Sequence, residues 1–168
     1  MPKIIENLQE RLIKETQKQI KELGYSAVTI RSVAKSCEVG IGTVYNYFPS
    51  KESMIASYLL DDWKNCILQI EEISKTAANP EVVARCIHTQ LLQYSDRHKS
   101  IFQDTSARSS FQSSFTNYHS LLRSQLAKPL EKFCDDNFTS EFIAESLLTW
   151  SLAGKSFDKI WNIIKNCF

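Results

Sequence analysis

The chain has 168 residues, of which 43% are hydrophobic and 23% charged, with a net charge of +1 at neutral pH. This composition fits an ordinary globular protein of one large domain, or a small domain fused to a larger one, and excludes a disordered tail. A balance so close to neutral also excludes nucleic-acid binding through a broadly basic surface; any such contact has to come from a local arrangement of donors. Residues 1–55 carry eight Lys and Arg against six Asp and Glu, too slight an asymmetry to indicate a partner.

Only four glycines and four prolines occur, which favours long helices over a strand-and-turn fold that would need many tight turns. No apolar run approaches the ~20 residues of a membrane-spanning helix. The first residues, MPKIIENLQERL, mix acids with bases and lack the apolar core of a signal peptide. The expectation is a cytoplasmic protein. The five cysteines, Cys37, Cys66, Cys86, Cys134 and Cys167, are scattered singly, with no CxxC pair, and read as free thiols packed as small hydrophobes.

In chain order, residues 3–23 form the first periodic segment, with Ile5, Leu8, Leu12, Ile20 and Leu23 on one helical face and Gly24 ending it. Thr29 can cap a short helix over TIRSVAKSC, turning Ile30, Val33 and Ala34 inward. After a break at Glu38-Val39-Gly40, a second short helix runs from Ile41 to about Phe48, stopped by Pro49-Ser50. Ser50 can cap a long fourth helix, in which Met54, Ile55, Tyr58, Leu59, Trp63, Cys66, Ile67, Ile70 and Ile73 recur at three- and four-residue steps up to Asn79-Pro80. Further helices are expected at about 81–97, 98–106, 111–134 and 139–153, with a last one from about 156. Pro129 is expected to kink or shorten the helix that contains it.

The informative stretch is GYSAVTIRSVAKSCEVGIGTVYNYFPSKESM, from Gly24 to Met54. It reads as two short helices joined by a tight turn behind a supporting helix, the layout of a helix-turn-helix whose second helix fits the major groove. Gly40 and Gly42 let the backbone come close to DNA, and Thr43 offers a hydroxyl and a methyl. Tyr45, Asn46 and Tyr47 offer polar tips, and Lys51 suits a phosphate. Val44 and Phe48 face the small core instead. By pattern alone this helix is either a DNA reader or a packed surface helix.

The strings GYSAVTIRSVA and GTVYNYFPSKESM resemble the TetR/AcrR family of bacterial repressors over about a third of the chain. The resemblance implies an all-α protein, with a helix-turn-helix domain at 1–49 and a helical effector-binding and dimerisation domain at 50–168. A connecting helix at 50–78 would join them. It implies that Thr29, Thr43, Tyr45, Tyr47 and Lys51 contact phosphates, with Ile41, Gly42, Tyr45 and Asn46 nearest the bases. Two helices late in the chain would pair with their symmetry mates in a homodimer on a double-stranded, pseudo-palindromic operator, and a small apolar or aromatic effector would release it. Two departures stand out. Where family members often read Gly-Val-Ser-Lys-Gly, this chain has Glu38-Val39-Gly40-Ile41-Gly42. Fewer charged contacts, a shallower salt dependence and an apolar contact from Ile41 to a thymine methyl are expected, with Glu38 opposing the DNA backbone.

Tyr94, Phe102, Phe111, Phe115, Tyr118 and His119 are candidates to line an apolar effector pocket, although aromatics also simply fill cores. Apolar side chains on the closing helices, among them Leu121, Leu126, Leu130, Phe142, Leu147, Trp150 and Leu152, are candidates for the dimer interface. His88, His98 and His119 lack the spacing of a helical metal site, and neither a phosphate loop nor a nucleophile elbow occurs. No metal, cofactor or catalytic group is expected. A helical module controlled through a protein partner is the main alternative to a ligand-released repressor, and an enzyme is third.

Overall fold

The computed structural model describes residues 7–168, and side chains for all of these except 111–117. Nine α-helices and three short 3-10 segments make up the described residues, with no β-strand among them. No described helix is long and apolar enough to cross a membrane. The chain divides into two compact units, one of residues up to Asp62 with His98–Phe111, the other of Trp63–Arg97 with Gln112–Phe168.

In the first unit, α1 (Leu8–Leu23) buries Leu8, Leu12 and Ile20, and with them Thr16 and Gln19. Leu23, expected to be buried, is exposed: it shares the apolar face but sits in the last turn, beyond the packed part of the stripe. Gly24, at φ 82°, closes the helix with its N–H on the Ile20 carbonyl. A 3-10 turn at Tyr25–Ala27 leads to α2 (Ile30–Ser36) and α3 (Ile41–Tyr47). The first half of α4 (Lys51–Thr76) completes the motif. Ile30, Val33, Ala34, Val44 and Phe48 are buried together with Met54, Ile55 and Tyr58 of α4, as the sequence pattern predicts. At about 1.5 Å per residue α4 is some 39 Å long.

The unit also takes in α6 (Lys99–Phe102) and the start of α7 (Thr105–Ala127), whose Ile101 and Ala107 join its core. The expected single helix over 98–106 is in fact broken at Asp104. Its Oδ1 accepts from the backbone N–H groups of Ser106 and Ala107, at 2.8 and 3.0 Å, and so starts α7 six residues earlier than expected. His98 is buried, paired through Nε2 with Asp62 Oδ2 at 2.8 Å and edge-on to Tyr58.

The second unit is built from the remainder of α4 and α7, with α5 (Pro80–Arg97), α8 (Asn137–Leu152) and α9 (Phe157–Ile164). Ile70, Val83, Ile87, Leu126, Ile143, Leu147 and Ile160 form its core. Pro129 acts as expected: α7 gives way at Lys128 to a 3-10 segment, Lys128–Phe133. Ile73 of α4, expected inward, is exposed, and the neighbouring Ser74 is buried in its place because its hydroxyl can donate to the Pro129 carbonyl at 2.9 Å. Lys132 donates to the carbonyls of Ser74 and Ala77, satisfying the end of α4. His88 pairs through Nδ1 with Ser151 Oγ at 2.8 Å inside this core.

Candidate nucleic-acid interface

The interface is assembled from α2, α3 and the start of α4, and each is locked by its own sequence. Thr29 caps α2 in a reciprocal box: its Oγ1 accepts from Ser32 N at 3.0 Å, while Ser32 Oγ accepts from Thr29 N at 3.1 Å. Ser50 and Ser53 repeat the arrangement at the start of α4, each accepting the other's N–H at 3.1 Å. The two hydroxyl boxes fix the starts of α2 and α4, the helices on either side of α3.

Two side chains of α1 that sequence reasoning missed hold α2 against it. The buried Gln19 accepts from the Ser32 hydroxyl at 2.7 Å and donates to Ser36 Oγ at 3.2 Å. Arg11 donates to the Cys37 carbonyl at 3.1 Å, at the C-terminus of α2. The polar Thr16 and Gln19 on an otherwise apolar stripe were the available signal, since a buried amide has to be answered by partners on the facing helix.

The turn itself differs from what its composition suggests. Gly40, the glycine of the turn, is in an extended conformation at φ −66° and ψ 145°, and the left-handed residue is Glu38 at φ 57°. Glu38 N bonds Lys35 O at 3.2 Å and Val39 N bonds Ala34 O at 3.0 Å, the paired closure of a Schellman motif. The position that usually takes glycine is thus held by a charged residue carrying a Cβ.

On α3, Val44 is fully buried, while Ile41, Tyr45, Asn46 and Tyr47 are exposed, Ile41 to 38% and Tyr45 to 52%. Thr43 is half-buried, and a Cβ on Gly42 would meet nothing within 4 Å. Thr29 is exposed beside Arg31 and Lys35 of α2, two exposed cations that the sequence reading had not singled out. Lys51 is half-buried: its ammonium donates to the Tyr25 carbonyl at 2.5 Å and lies 4.0 Å from the centre of the Tyr25 ring. Burial lowers the Lys51 pKa, against the opposing pull of Glu52 and Asp104. All eight sequence-predicted DNA residues therefore fall in this one unit.

The aromatic candidates for an effector pocket are divided between the two units. Phe102 belongs to the first unit, packed on its core and edge-on to His98. Tyr94 belongs to the second, edge-on to Trp63 at 5.4 Å between ring centres. Tyr118 and His119 are exposed, with His119 Nε2 3.6 Å from Glu145 Oε1. The side chains of Phe111 and Phe115 lie outside the described residues. Among the described residues no group of three or more metal-ligating side chains occurs.

Comparison with known proteins agrees with the helix-turn-helix geometry. The family described as bacterial regulatory proteins, tetR family, matches residues 12–58. The HTH-type transcriptional regulator YuxN of Bacillus subtilis is 32% identical over 91 residues, which is 54% of this chain and 31% of that protein. The HTH-type transcriptional repressor KstR of Rhodococcus jostii is 34% identical over 71 residues, 42% of this chain and 30% of that protein. The chain thus spans about a third of the length of the curated relatives it matches. Whole-chain likeness is seen in solved structures. A Streptomyces coelicolor protein superposes with a TM-score of 0.72 at 16% identity, covering 96% of this chain and 98% of that one. Thermus thermophilus FadR, a TetR-family repressor in complex with lauroyl-CoA, gives 0.64 at 18% identity, covering 94% and 91%. At these identities the structures establish the fold, and the resemblance to the tetR family of bacterial regulatory proteins is confined to the helix-turn-helix stretch at residues 12–58.

Proposed function

We propose that this protein is a DNA-binding transcription regulator, a repressor that grips a pseudo-palindromic operator as a homodimer and is released by a small-molecule effector. The observation that carries the reading is the exposed face of α3. Ile41, Tyr45 and Tyr47 are large apolar or aromatic side chains left in solvent on a helix that buries Val44 alone. They sit beside the open Gly42, on a scaffold fixed by two capping boxes. In this reading Thr29, Thr43, Tyr45, Tyr47 and Lys51 hold phosphates, Arg31 and Lys35 add charge, and Ile41, Gly42, Tyr45 and Asn46 face the bases.

Dimerisation is supported by exposed apolar residues on α8 and late α7, namely Phe138, Phe142, Trp150, Leu152 and Leu121. Leu126 of α7, Leu130 of the 3-10 segment after it and Leu147 of α8 are used up inside the protomer. A two-fold dimer presents two recognition helices about 34–36 Å apart, one turn of DNA. For the effector, the lauroyl-CoA bound by Thermus FadR makes a long-chain acyl-CoA a fitting first probe. Release would follow from tighter binding of effector to a state that binds DNA poorly.

The test is titration of the purified protein onto its own upstream intergenic DNA, against a shuffled competitor and at several salt concentrations. Sequence-dependent binding with a modest salt slope is expected, lost in Tyr45→Ala and Lys51→Ala variants that still dimerise. Equal, weak binding to both sequences would defeat the reading. If binding is specific but no small molecule alters it, regulation passes to a protein partner.

A further inference from the structure

The recognition helix is uncharged. Between Glu38 and Lys51 there is no Lys, Arg, His, Asp or Glu, so α3 offers neither the cation that reads guanine O6 and N7 nor the carboxylate that reads the cytosine amine. Its exposed groups are the branched aliphatic Ile41, the carboxamide of Asn46 and the phenols of Tyr45 and Tyr47. An aliphatic side chain in the major groove matches the thymine C5-methyl, and a carboxamide matches the N6 and N7 pair of adenine. Ile41 and Asn46 are five residues apart, about 7.5 Å along the helix axis. That is roughly two base-pair steps of about 3.4 Å. Gly42 next to Ile41 keeps the approach open, since even a Cβ there would meet no protein atom within 4 Å.

Building on the DNA-binding reading above, we infer that the operator pairs read by α3 are A·T pairs, with Ile41 packed on a thymine methyl and Asn46 on an adenine about two steps away. Discrimination by this helix then depends on methyl contact, one carboxamide and the Tyr45 phenol, with no charged contact to guanine.

The experiment starts from selection by the full chain on a random-core duplex library. The enriched site is then altered base by base. Replacing thymine with uracil removes only the methyl group. At the Ile41 pair this should weaken wild-type binding about fourfold, the worth of one buried carbon, and leave the Ile41→Ala protein indifferent. Asn46→Ala should lose about tenfold or more at its adenine and accept other bases there. Both side chains are exposed, so neither variant is expected to disturb the fold, and the uracil arm leaves the protein untouched. G·C pairs at the positions sensitive to Ile41→Ala and Asn46→Ala would overturn the inference while leaving the regulator reading intact, as would indifference of the wild type to uracil. Enrichment of no sequence at all would overturn both.

Discussion

The Ser26 hydroxyl donates to Asp104 Oδ2 at 2.8 Å, joining the turn after α1 to the start of α7, 78 residues further along the chain. The other oxygen of the same carboxylate accepts from the first N–H groups of α7. One side chain therefore both starts a helix and ties it to the helix-turn-helix. The N–H of Ala107, followed by the Ser26 hydroxyl, holds the Asp104 pKa below its ordinary value of 3.8. A carboxylate depressed in the folded state contributes stability that is complete above that ordinary value and is lost as pH falls through the depressed one. Asp104→Asn keeps an oxygen for the cap but not the charge. Its melting temperature is expected to lie below wild type at pH 7, with the two curves converging below about pH 3.8. A gap independent of pH would assign Asp104 a purely steric role.

The Thr29 box should be measurable in the same way. Thr29→Ala is expected to cost about 1 kcal/mol in equilibrium unfolding, and Thr29→Ser to cost little, because the hydroxyl that accepts from Ser32 N is retained. If Thr29 also holds a phosphate, the alanine variant loses operator affinity at temperatures where it is fully folded. Equal operator binding by folded Thr29→Ala would confine the residue to capping.

The outline of the DNA-binding unit was legible because it rests on local rules: Gly24 after a periodic run, Thr29 and Ser50 as caps, and a glycine-bounded turn before Ile41. What escaped depends on side chains meeting over long separations. Neither the start of α7 nor its attachment could be seen without Ser26 beside Asp104. Lys51 reads as a free cation in sequence, yet folding places it on Tyr25, 26 residues earlier. Of the aromatics singled out between residues 94 and 119, Tyr94 and Phe102, only eight positions apart, fall in different compact units, and the side chains of Phe111 and Phe115 lie outside the described residues.

Glu38 shows the same limit at a single residue. Sequence gives only a break at Glu38-Val39-Gly40, and within it the left-handed conformation falls on Glu38 rather than on the glycine. A residue with a Cβ pays for that conformation and glycine does not, so Glu38→Gly is expected to stabilise the protein by about 0.5–1 kcal/mol, net of the extra freedom glycine has when unfolded. Removing a negative charge beside α3 should also tighten binding to DNA, most visibly at low salt. Unfolding titrations measure the first effect and salt-dependent binding the second. A destabilised Glu38→Gly protein would mean that the Glu38 side chain makes a compensating contact.

His88 gives a second pH signature, in the other unit. Burial, with a smaller contribution from Arg85, lowers its pKa below the ordinary 6.5. The unfolded chain then binds the proton more readily. Stability is complete above about pH 6.5 and declines as pH falls from there toward the folded pKa. Wild type should lose stability as pH falls below about 6.5, and His88→Gln should lack that part of the slope. Ser151→Ala removes the hydroxyl paired with His88 and is expected to cost about 1–3 kcal/mol through a buried nitrogen left without a partner. An unchanged slope in His88→Gln would move the titration to other groups.

The exposed aromatics of α8 separate protomer stability from assembly. Phe138 is 76% exposed and Phe142 47%, one helical turn apart, whereas Ile143 and Leu147 beside them are fully buried. A charge at either phenylalanine meets water in the isolated protomer and costs it little. In a two-fold interface the same charge is buried twice, opposite its own symmetry mate. Phe142→Arg, and Phe138→Glu as an independent check, should therefore yield folded monomers by sedimentation, with unchanged helical circular dichroism. Operator affinity should collapse with them, because a single head forfeits the second half-site. Variants that stay dimeric and bind DNA normally would place the interface elsewhere and leave these aromatics exposed to a different partner.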